Sequence, residues 1–379
     1  MASRPESNSY QWLTTGDQVF PVMLDAIASA RRSIRLEFYI YVNDDLGKQF
    51  RDALIAARKR GVRVQVLIDS LGSLTLPGNY WYSLVEAGGE ARWFNPLLLR
   101  RFGYRDHRKM LVCDEQVAFV GGFNISAVYR GDGIKSGWRD LGLKCTGQMA
   151  QELAAAFDEM FDRAGFRHKR LSRLRGETIA RHVEGNDFNL LLTGPGRGWN
   201  PFSRALHQDL ARAHDVKIIA AYFLPTWRLR RDLARVVRSG GRVQLVLAGK
   251  SDVLLSQLAG RSLYRRLFKA GIEICEYQPQ ILHAKLILIN DAVYAGSSNL
   301  DTRSLRINYE LMLRITNSVA VSEAAGIFAD CVRLSRKIEP DAWNRARTWW
   351  QRFKESWAYF LLIRIDPLIV RWSRARRPN

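Results

Sequence analysis

No stretch of the 379-residue sequence reaches the roughly 18–20 consecutive apolar residues that a membrane-spanning helix needs. A soluble protein, or one lying on a membrane surface, is expected. The opening Met1–Tyr10 is polar and has no apolar run of the kind a secretory signal carries, so no signal peptide is expected. Cysteine is scarce. Cys113, Cys145, Cys275 and Cys331 are far apart and form no CxxC pair, which argues against a zinc ribbon or a disulfide framework and for free thiols in a reducing compartment. Acidic residues are also short: 37 Asp+Glu stand against 58 Lys+Arg, a formal net charge of +21. Such a balance suits a polyanionic partner, either nucleic acid or an anionic lipid surface, unless it only reflects a generally Arg-rich proteome. The hydrophobic share, 47 %, is ordinary for a chain with real cores, and the length makes two domains the default.

What is present is a repeat. Arg32–Tyr41 (RSIRLEFYIY), a helical stretch to Arg60 and Gly61–Asp69 (GVRVQVLID) are matched by Asp215–Leu224 (DVKIIAAYFL), a helical stretch and Gly241–Ala248 (GRVQLVLA). Arg63-Val64-Gln65 aligns with Arg242-Val243-Gln244 at an offset of 179, and His107-Arg108-Lys109 aligns with His283-Ala284-Lys285 at 176. A spacing this constant argues for duplication. Apolar strands alternate with amphipathic helices such as Gly47–Arg60 and Trp227–Ser239, which predicts an α/β fold with mostly parallel sheets. The polar segment Arg167–Asn186 is the expected join, with a Gly194-Pro195-Gly196 turn early in the second half. The expected division is 1–170, 187–340 and a C-terminal segment 341–379.

The chemistry-bearing residues sit at matching places. His107-Arg108-Lys109 opens an apolar run ending at Asp114, then Val117–Asn124 (VAFVGGFN). His283-Ala284-Lys285 opens one ending at Asn290-Asp291, then Val293–Asn299 (VYAGSSN). Each reads as two strands joined by a tight polar turn. Residues i and i+2 of a strand share a face, so His107 projects with Lys109 and His283 with Lys285. Imidazole can attack phosphorus or pass a proton, and ammonium holds anionic oxygens. Asp114, at an odd spacing of seven from His107, is expected on the other face, in the turn, as a structural residue. Asn290 takes its place in the second copy, and Asn-Asp is good turn chemistry. The remaining histidines, His168, His182, His207 and His214, form no metal set and read as surface or helix-face residues.

HxKxxxxD followed by Gly-Gly or Gly-Ser and an Asn, present twice, resembles the HKD signature of the phospholipase D superfamily. The resemblance covers roughly residues 10–335. Tyr104–Lys109, Phe94-Asn95-Pro96, Glu276-Tyr277-Gln278-Pro279, Gly296–Ser304, Asn308-Tyr309-Glu310 and Leu36–Ile40 are similar to bacterial cardiolipin synthases of this superfamily, nearest to the shorter branch without N-terminal spanning helices. The resemblance implies two tandem phospholipase D-like domains about a pseudo-twofold axis, with both motifs meeting in one site. It implies that one histidine becomes a phosphohistidine while the other serves the leaving and incoming alcohols. It implies a catalytic set of His107, Lys109, Asp114, His283, Lys285 and Asn290. The lysines, Asn124 and Asn299 would hold the nonbridging oxygens, with Ser297 in support, and no metal or other cofactor would be needed.

Two carboxylates are candidates for fixing an imidazole's tautomer: Glu310, 27 residues past His283, and Asp140, 33 past His107. Asp140 reads equally well as a surface ion-pair residue. Glu37 has no acidic counterpart, since Ala220 takes the aligned position, and its role stays open.

The segment Ala342–Asn379 holds five of the eleven tryptophans and nine Arg/Lys against Glu355 and Asp366. Trp357–Ile363 is too short to span a bilayer. Trp with Arg suits a membrane interface, and the alternative is a helix packing its aromatic face on the body. The function expected is therefore cardiolipin synthesis from phosphatidylglycerol at the cytoplasmic face of the cell membrane, with no obligate protein partner. The alternative is a phosphodiesterase or nuclease of the same superfamily, for which nucleic acid would be the partner.

Overall fold

The computed structural model describes residues 8–95, 104–165, 180–195 and 200–365. Most of the expected join (167–179), Pro96, Gly196 and the tail from 366 on, with Trp372, lie outside these residues.

The first repeat runs β1 (Tyr10–Leu13), α1 (Gly16–Ser29), β2 (Ser33–Phe38), α2 (Asp45–Lys59), β3 (Arg63–Asp69), α3 (Tyr82–Glu86), β4 (Glu90–Phe94), β5 (Lys109–Cys113), β6 (Val117–Gly121), β7 (Gly142–Thr146) and α4 (Gln148–Gly165). Then come β8 (Arg181–Glu184), β9 (Phe188–Thr193), α5 (Pro201–Leu210), β10 (Asp215–Ala220), α6 (Trp227–Arg238), β11 (Arg242–Ala248), α7 (Leu254–Arg261), α8 (Tyr264–Lys269), β12 (Glu273–Tyr277), β13 (Lys285–Ile289), β14 (Ala292–Gly296), α9 (Thr302–Arg306), β15 (Glu310–Ile315), α10 (Ser318–Arg333), β16 (Ser335–Lys337), α11 (Pro340–Ala346) and α12 (Trp349–Phe360).

Two sheets result, ordered β1-β7-β6-β5-β2-β3-β4 and β16-β12-β11-β10-β13-β14-β15-β9-β8. The runs β7-β6-β5-β2-β3-β4 and β15-β14-β13-β10-β11-β12 are the same arrangement, so the sequence repeat is also a repeat in space. The sheets are mixed, which corrects the expectation of mostly parallel ones. Only β2-β3-β4 and β10-β11-β12 pair in parallel. A helix between β2 and β3, and between β10 and β11, returns the chain in the same direction. The tight turns after Cys113 and Ile289 instead force β5-β6 and β13-β14 antiparallel. A second correction concerns the join. β8 lies inside it and pairs with β9, so the second sheet begins before residue 187. Three of the four β8 residues are exposed, which leaves no apolar alternation to betray an edge strand.

One apolar layer is shared by both repeats. Met110 and Val112 of β5, Leu286 and Leu288 of β13, Phe157 and Phe161 of α4 and Phe328 and Cys331 of α10 belong to the same buried cluster. In α10 the buried positions Ala320, Ala324, Phe328 and Cys331 follow the helical period. The outer faces are covered separately, by α1 and α2 on the first sheet and by α5 to α8 on the second. Because the sheets meet through their inner faces, the ends of β5 and β13 that carry His107 and His283 come together.

Candidate active site

Each histidine lies just before its strand, and the other repeat holds its backbone. The His107 amide donates to the Tyr309 carbonyl at 2.9 Å, and the Tyr309 amide donates to the Arg105 carbonyl at 2.8 Å. In the mirror arrangement, the His283 amide donates to the Arg139 carbonyl at 2.7 Å and the Arg139 amide to the Ile281 carbonyl at 2.9 Å. Both histidines are almost completely buried.

The side chains cross in the same way. His107 Nδ1 lies 3.0 Å from Glu310 Oε2, and His283 Nδ1 lies 2.6 Å from Asp140 Oδ2. Each repeat supplies a histidine and lends its carboxylate to the other repeat's histidine. With Nδ1–H donated to a carboxylate, Nε2 is left as the acceptor nitrogen of each ring. Lys109 Nζ donates to the His107 carbonyl at 2.5 Å, and Lys285 Nζ lies 2.9 and 3.1 Å from the two nitrogens of the His283 ring.

Burial sets the electrostatics. It lowers His107 to about 4 against the pull of Glu310, and Lys109 and Lys285 push it further down. Burial likewise lowers His283, helped by Lys285 and opposed by Asp140. Both lysines weigh on both imidazoles, in keeping with the crossed carboxylate pairing that brings the two repeats together here. Lys109 itself is lowered to about 7, chiefly by burial, and Lys285 is lowered as well. Burial alone would raise the Glu310 carboxyl, but His107, Lys109 and a hydrogen bond from Ser297 together hold it below its usual range. Burial and the two lysines therefore favour the neutral form of both imidazoles.

The other candidates divide. Asp114 has a left-handed backbone (φ 57°), and its carboxylate accepts from the amides of Arg31, Arg32 and Ser33 at 2.7–2.9 Å. Asn290 (φ 48°) accepts from the amides of His214 and Asp215 at 3.1 and 3.3 Å. Both residues tie a turn to a neighbouring strand, and Asn and Asp share the acceptor oxygen and the tolerance for this conformation that the place requires. Ser297 Oγ donates to Glu310 at 2.5 Å and accepts from the Leu311 amide at 3.0 Å, so it braces the carboxylate. Asn124 has both ends of its amide engaged, accepting from the Ile40 amide at 3.1 Å and donating to the Tyr129 hydroxyl at 2.9 Å. Asn299 differs, because its buried carbonyl oxygen has no hydrogen-bond partner among the described residues. Glu37 is fully buried beside Asp106, and burial followed by the charge of Asp106 raises it well above the carboxylate range, where a protonated Glu37 can share a hydrogen bond with that carboxylate.

Three aromatic residues at the site were not singled out in the sequence. Tyr39 packs edge-on to His107 with ring centroids 4.8 Å apart, Tyr222 packs on His283 at 6.1 Å, and the Tyr129 hydroxyl lies 3.3 Å from His283 Nδ1. Strand register places Phe38 opposite Lys109 and Ala220 opposite Lys285, so the counterpart of Glu37 is Ile219 rather than Ala220, and that of Tyr39 is Ala221, one residue before Tyr222. The repeat therefore does not pair the two tyrosines.

Among the described residues, no group of three or more His, Cys, Asp or Glu side chains is placed to hold a metal ion. Nor is any described helix long and apolar enough to cross a membrane. A family profile described as "Cardiolipin synthase, PLD-like domain" matches residues 23–163 and 206–332, which takes in both histidine motifs and both carboxylates. The chain belongs to the phospholipase D-like family of cardiolipin synthases. Membership makes it an enzyme of a phosphatidyltransferase class built on the duplicated fold. The major cardiolipin synthase ClsA of Bacillus subtilis is 32 % identical over 93 % of this chain and 74 % of its own length. Cardiolipin synthase B of Escherichia coli K12 is 31 % identical over 99 % of this chain and 92 % of its own. The fold is shared with a phosphatidylserine synthase from Haemophilus influenzae, at a TM-score of 0.76 and 16 % identity over 95 % of this chain and 94 % of that one.

Proposed function

We propose that the chain joins two phosphatidylglycerol molecules into cardiolipin, releasing glycerol, through a phosphohistidine. The crossed pairing of His107 with Glu310 and His283 with Asp140 carries this reading. It leaves Nε2 as the acceptor of each ring in one buried site, that of His283 3.1 Å from Lys285 Nζ, with each ring backed by a carboxylate that stabilises positive charge on it. One Nε2 attacks the phosphorus of the first phosphatidylglycerol. The N–P bond forms, the P–O bond to the headgroup glycerol breaks, and the second imidazole, protonated on substrate binding, gives its proton to the departing oxygen. That imidazole then takes the proton from a headgroup hydroxyl of a second phosphatidylglycerol, whose oxygen attacks phosphorus and frees the first histidine. Lys109 and Lys285 hold the nonbridging oxygens throughout, and Asn299 is placed to join them.

The relatives named as cardiolipin synthases and the basic composition support an anionic glycerophospholipid as substrate. Peripheral attachment to the anionic cytoplasmic leaflet would give the site access to it. The test is incubation of the full chain with phosphatidylglycerol vesicles in EDTA, following cardiolipin and glycerol together. Equimolar appearance is expected, with a covalent phosphatidyl-protein that is acid-labile and base-stable. His107→Ala and His283→Ala should each reduce turnover by at least about 10³-fold while folding is kept. Near-full activity in either variant, or activity lost in EDTA and restored by a divalent ion, would count against this reading.

A further inference from the structure

The C-terminal helices divide their aromatic residues between two environments. Trp343 of α11 turns inward, its ring 4.9 Å from that of Tyr264, with the Arg347 guanidinium 3.5 Å from its centroid. α12 buries Glu355 and Ala358 and packs along α7. Arg261, at the C-terminal end of α7, lies over Trp343 at 5.9 Å. Its other face leaves Trp349, Trp350, Phe353, Trp357 and Phe360 largely in solvent, Trp349 at 74 %. Residues of this size have on the order of 150–250 Å² each, of which about half or more faces solvent here, and a contiguous apolar patch beyond a few hundred Å² marks an interaction surface.

Beside this face, between α8 and α11–α12, lies a cavity of about 390 Å³ lined by Arg265, Phe268, Lys269, Pro340, Asn344 and Arg352. Three of the six are cations and none is an acid. Arg352 donates to the Asn344 carbonyl at 2.9 Å, which fixes its guanidinium in the wall. At the far end of α7, the exposed Leu254 follows Asp252, whose carboxylate accepts from the hydroxyl of Tyr222, the ring packed on His283.

We propose that this cavity and the adjoining face of α12 form a second, non-catalytic site for the phosphodiester headgroup of an anionic phospholipid in a bilayer. The cations meet the phosphate, and the rings lie at headgroup depth beside it, where indole and phenyl groups are stable. A free phosphate would use the cations alone and leave five rings in water; a bilayer satisfies both. Occupancy would hold the enzyme on the membrane that carries its substrate. The inference builds on the phosphatidyltransferase reading but is tested by binding.

The full-length protein carrying Arg265→Glu, Lys269→Glu and Arg352→Glu together is compared with wild type by sedimentation with phosphatidylglycerol–phosphatidylcholine vesicles and with pure phosphatidylcholine vesicles. Turnover is measured on monomeric short-chain phosphatidylglycerol. We expect binding to the mixed vesicles to fall at least about tenfold, since each cation near an anionic surface contributes to attachment. Turnover on the monomeric lipid should stay within about twofold, because the histidines are untouched. Trp349→Ser with Trp350→Ser should weaken binding to both vesicle types, the aromatic part being insensitive to lipid charge. If the triple reversal unfolds the protein, Arg265→Gln, Lys269→Gln and Arg352→Gln replace it with the same expectations. Unchanged binding to mixed vesicles, equal loss of monomeric turnover, or displacement of wild type from mixed vesicles by inorganic phosphate or plasmid DNA would each overturn the proposal. A wild type that makes no cardiolipin, but whose vesicle binding still depends on these three cations, would sink the synthase reading and leave this site standing.

Discussion

His107 and His283 stand on equivalent strands, yet their supports differ. His107 is held by the longer Glu310, which Ser297 braces. His283 is held by the shorter Asp140, and the position equivalent to Ser297 is Gly122, where an added Cβ would come within 2.1 Å of Asp140 Oδ1. Carboxylate and neighbour are matched in each half, the longer acid with a hydroxyl beside it and the shorter with empty space for it. Behind His107 lie Glu37, Asp106 and Arg108, all buried, while the equivalent places behind His283 are Ile219, Leu282 and Ala284. The difference teaches that the duplicated chain kept two histidine–lysine strands but built two unlike acid–base units from them. That is what a reaction with one nucleophile and one proton carrier can use.

The comparison breaks most clearly at the carboxylates. Glu310→Gln and Asp140→Asn should each lower cardiolipin formation by roughly 10²–10⁴-fold, since the amide no longer fixes the tautomer or the imidazolium. With a phosphatidyl ester bearing a nitrophenol leaving group, the first turnover needs no proton donor. One of the two variants should then recover a burst of nitrophenol, which marks its histidine as the acid; equal loss in both would mean that the halves are not divided in this way.

A smaller loss tests the matching of neighbours. Gly122→Ser should cost more activity than Ser297→Gly, because a Cβ displaces Asp140 outright whereas Glu310 keeps its bond to His107. The reverse order of effects would remove the steric account.

The lysines predict a pH dependence. Lys109, lowered to about 7, loses its charge in the free enzyme as pH rises through that value, so kcat/KM should fall on the alkaline side. Lys109→Arg should be slower but flat there, and an unchanged limb in that variant would assign the titration elsewhere. Stability should move the other way. His107 is lowered from 6.5 to about 4 by burial, so on acidification the unfolded chain takes up its proton first. The melting temperature should drop as pH falls from about 6.5 towards 4, and by less in His107→Gln.

The smallest effect is expected at the turns. Asn290→Asp should leave activity and melting temperature nearly unchanged, because aspartate keeps the oxygen that the His214 and Asp215 amides use. Lys285→Ala should be severe. A comparable activity loss in both would end the distinction between the turn and the face carrying the lysine.

The sequence by itself determined the duplication, the alternation of strands and helices, and which residues share a face with each histidine. Those are local matters: a period of two along a strand separates Lys109 from Asp114 without any knowledge of the rest of the chain. The same locality explains why α2 and α6 were readable from amphipathic runs while the exposed edge strand β8 was not. Asn124 and Asn299 look alike as sequence, and only the tertiary environment shows one bound to Tyr129 and the other with an oxygen unpaired among the described residues. Trp343 and Trp349 belong to one Trp-rich segment, yet packing against Tyr264 covers the first and leaves the second in solvent. The choice of carboxylate for each histidine was likewise decided by the fold. The partners lie 203 and 143 residues apart, each in the opposite repeat. No spacing within a motif encodes that exchange, which exists only because the two sheets pack through one shared apolar layer and bring the ends of β5 and β13 together.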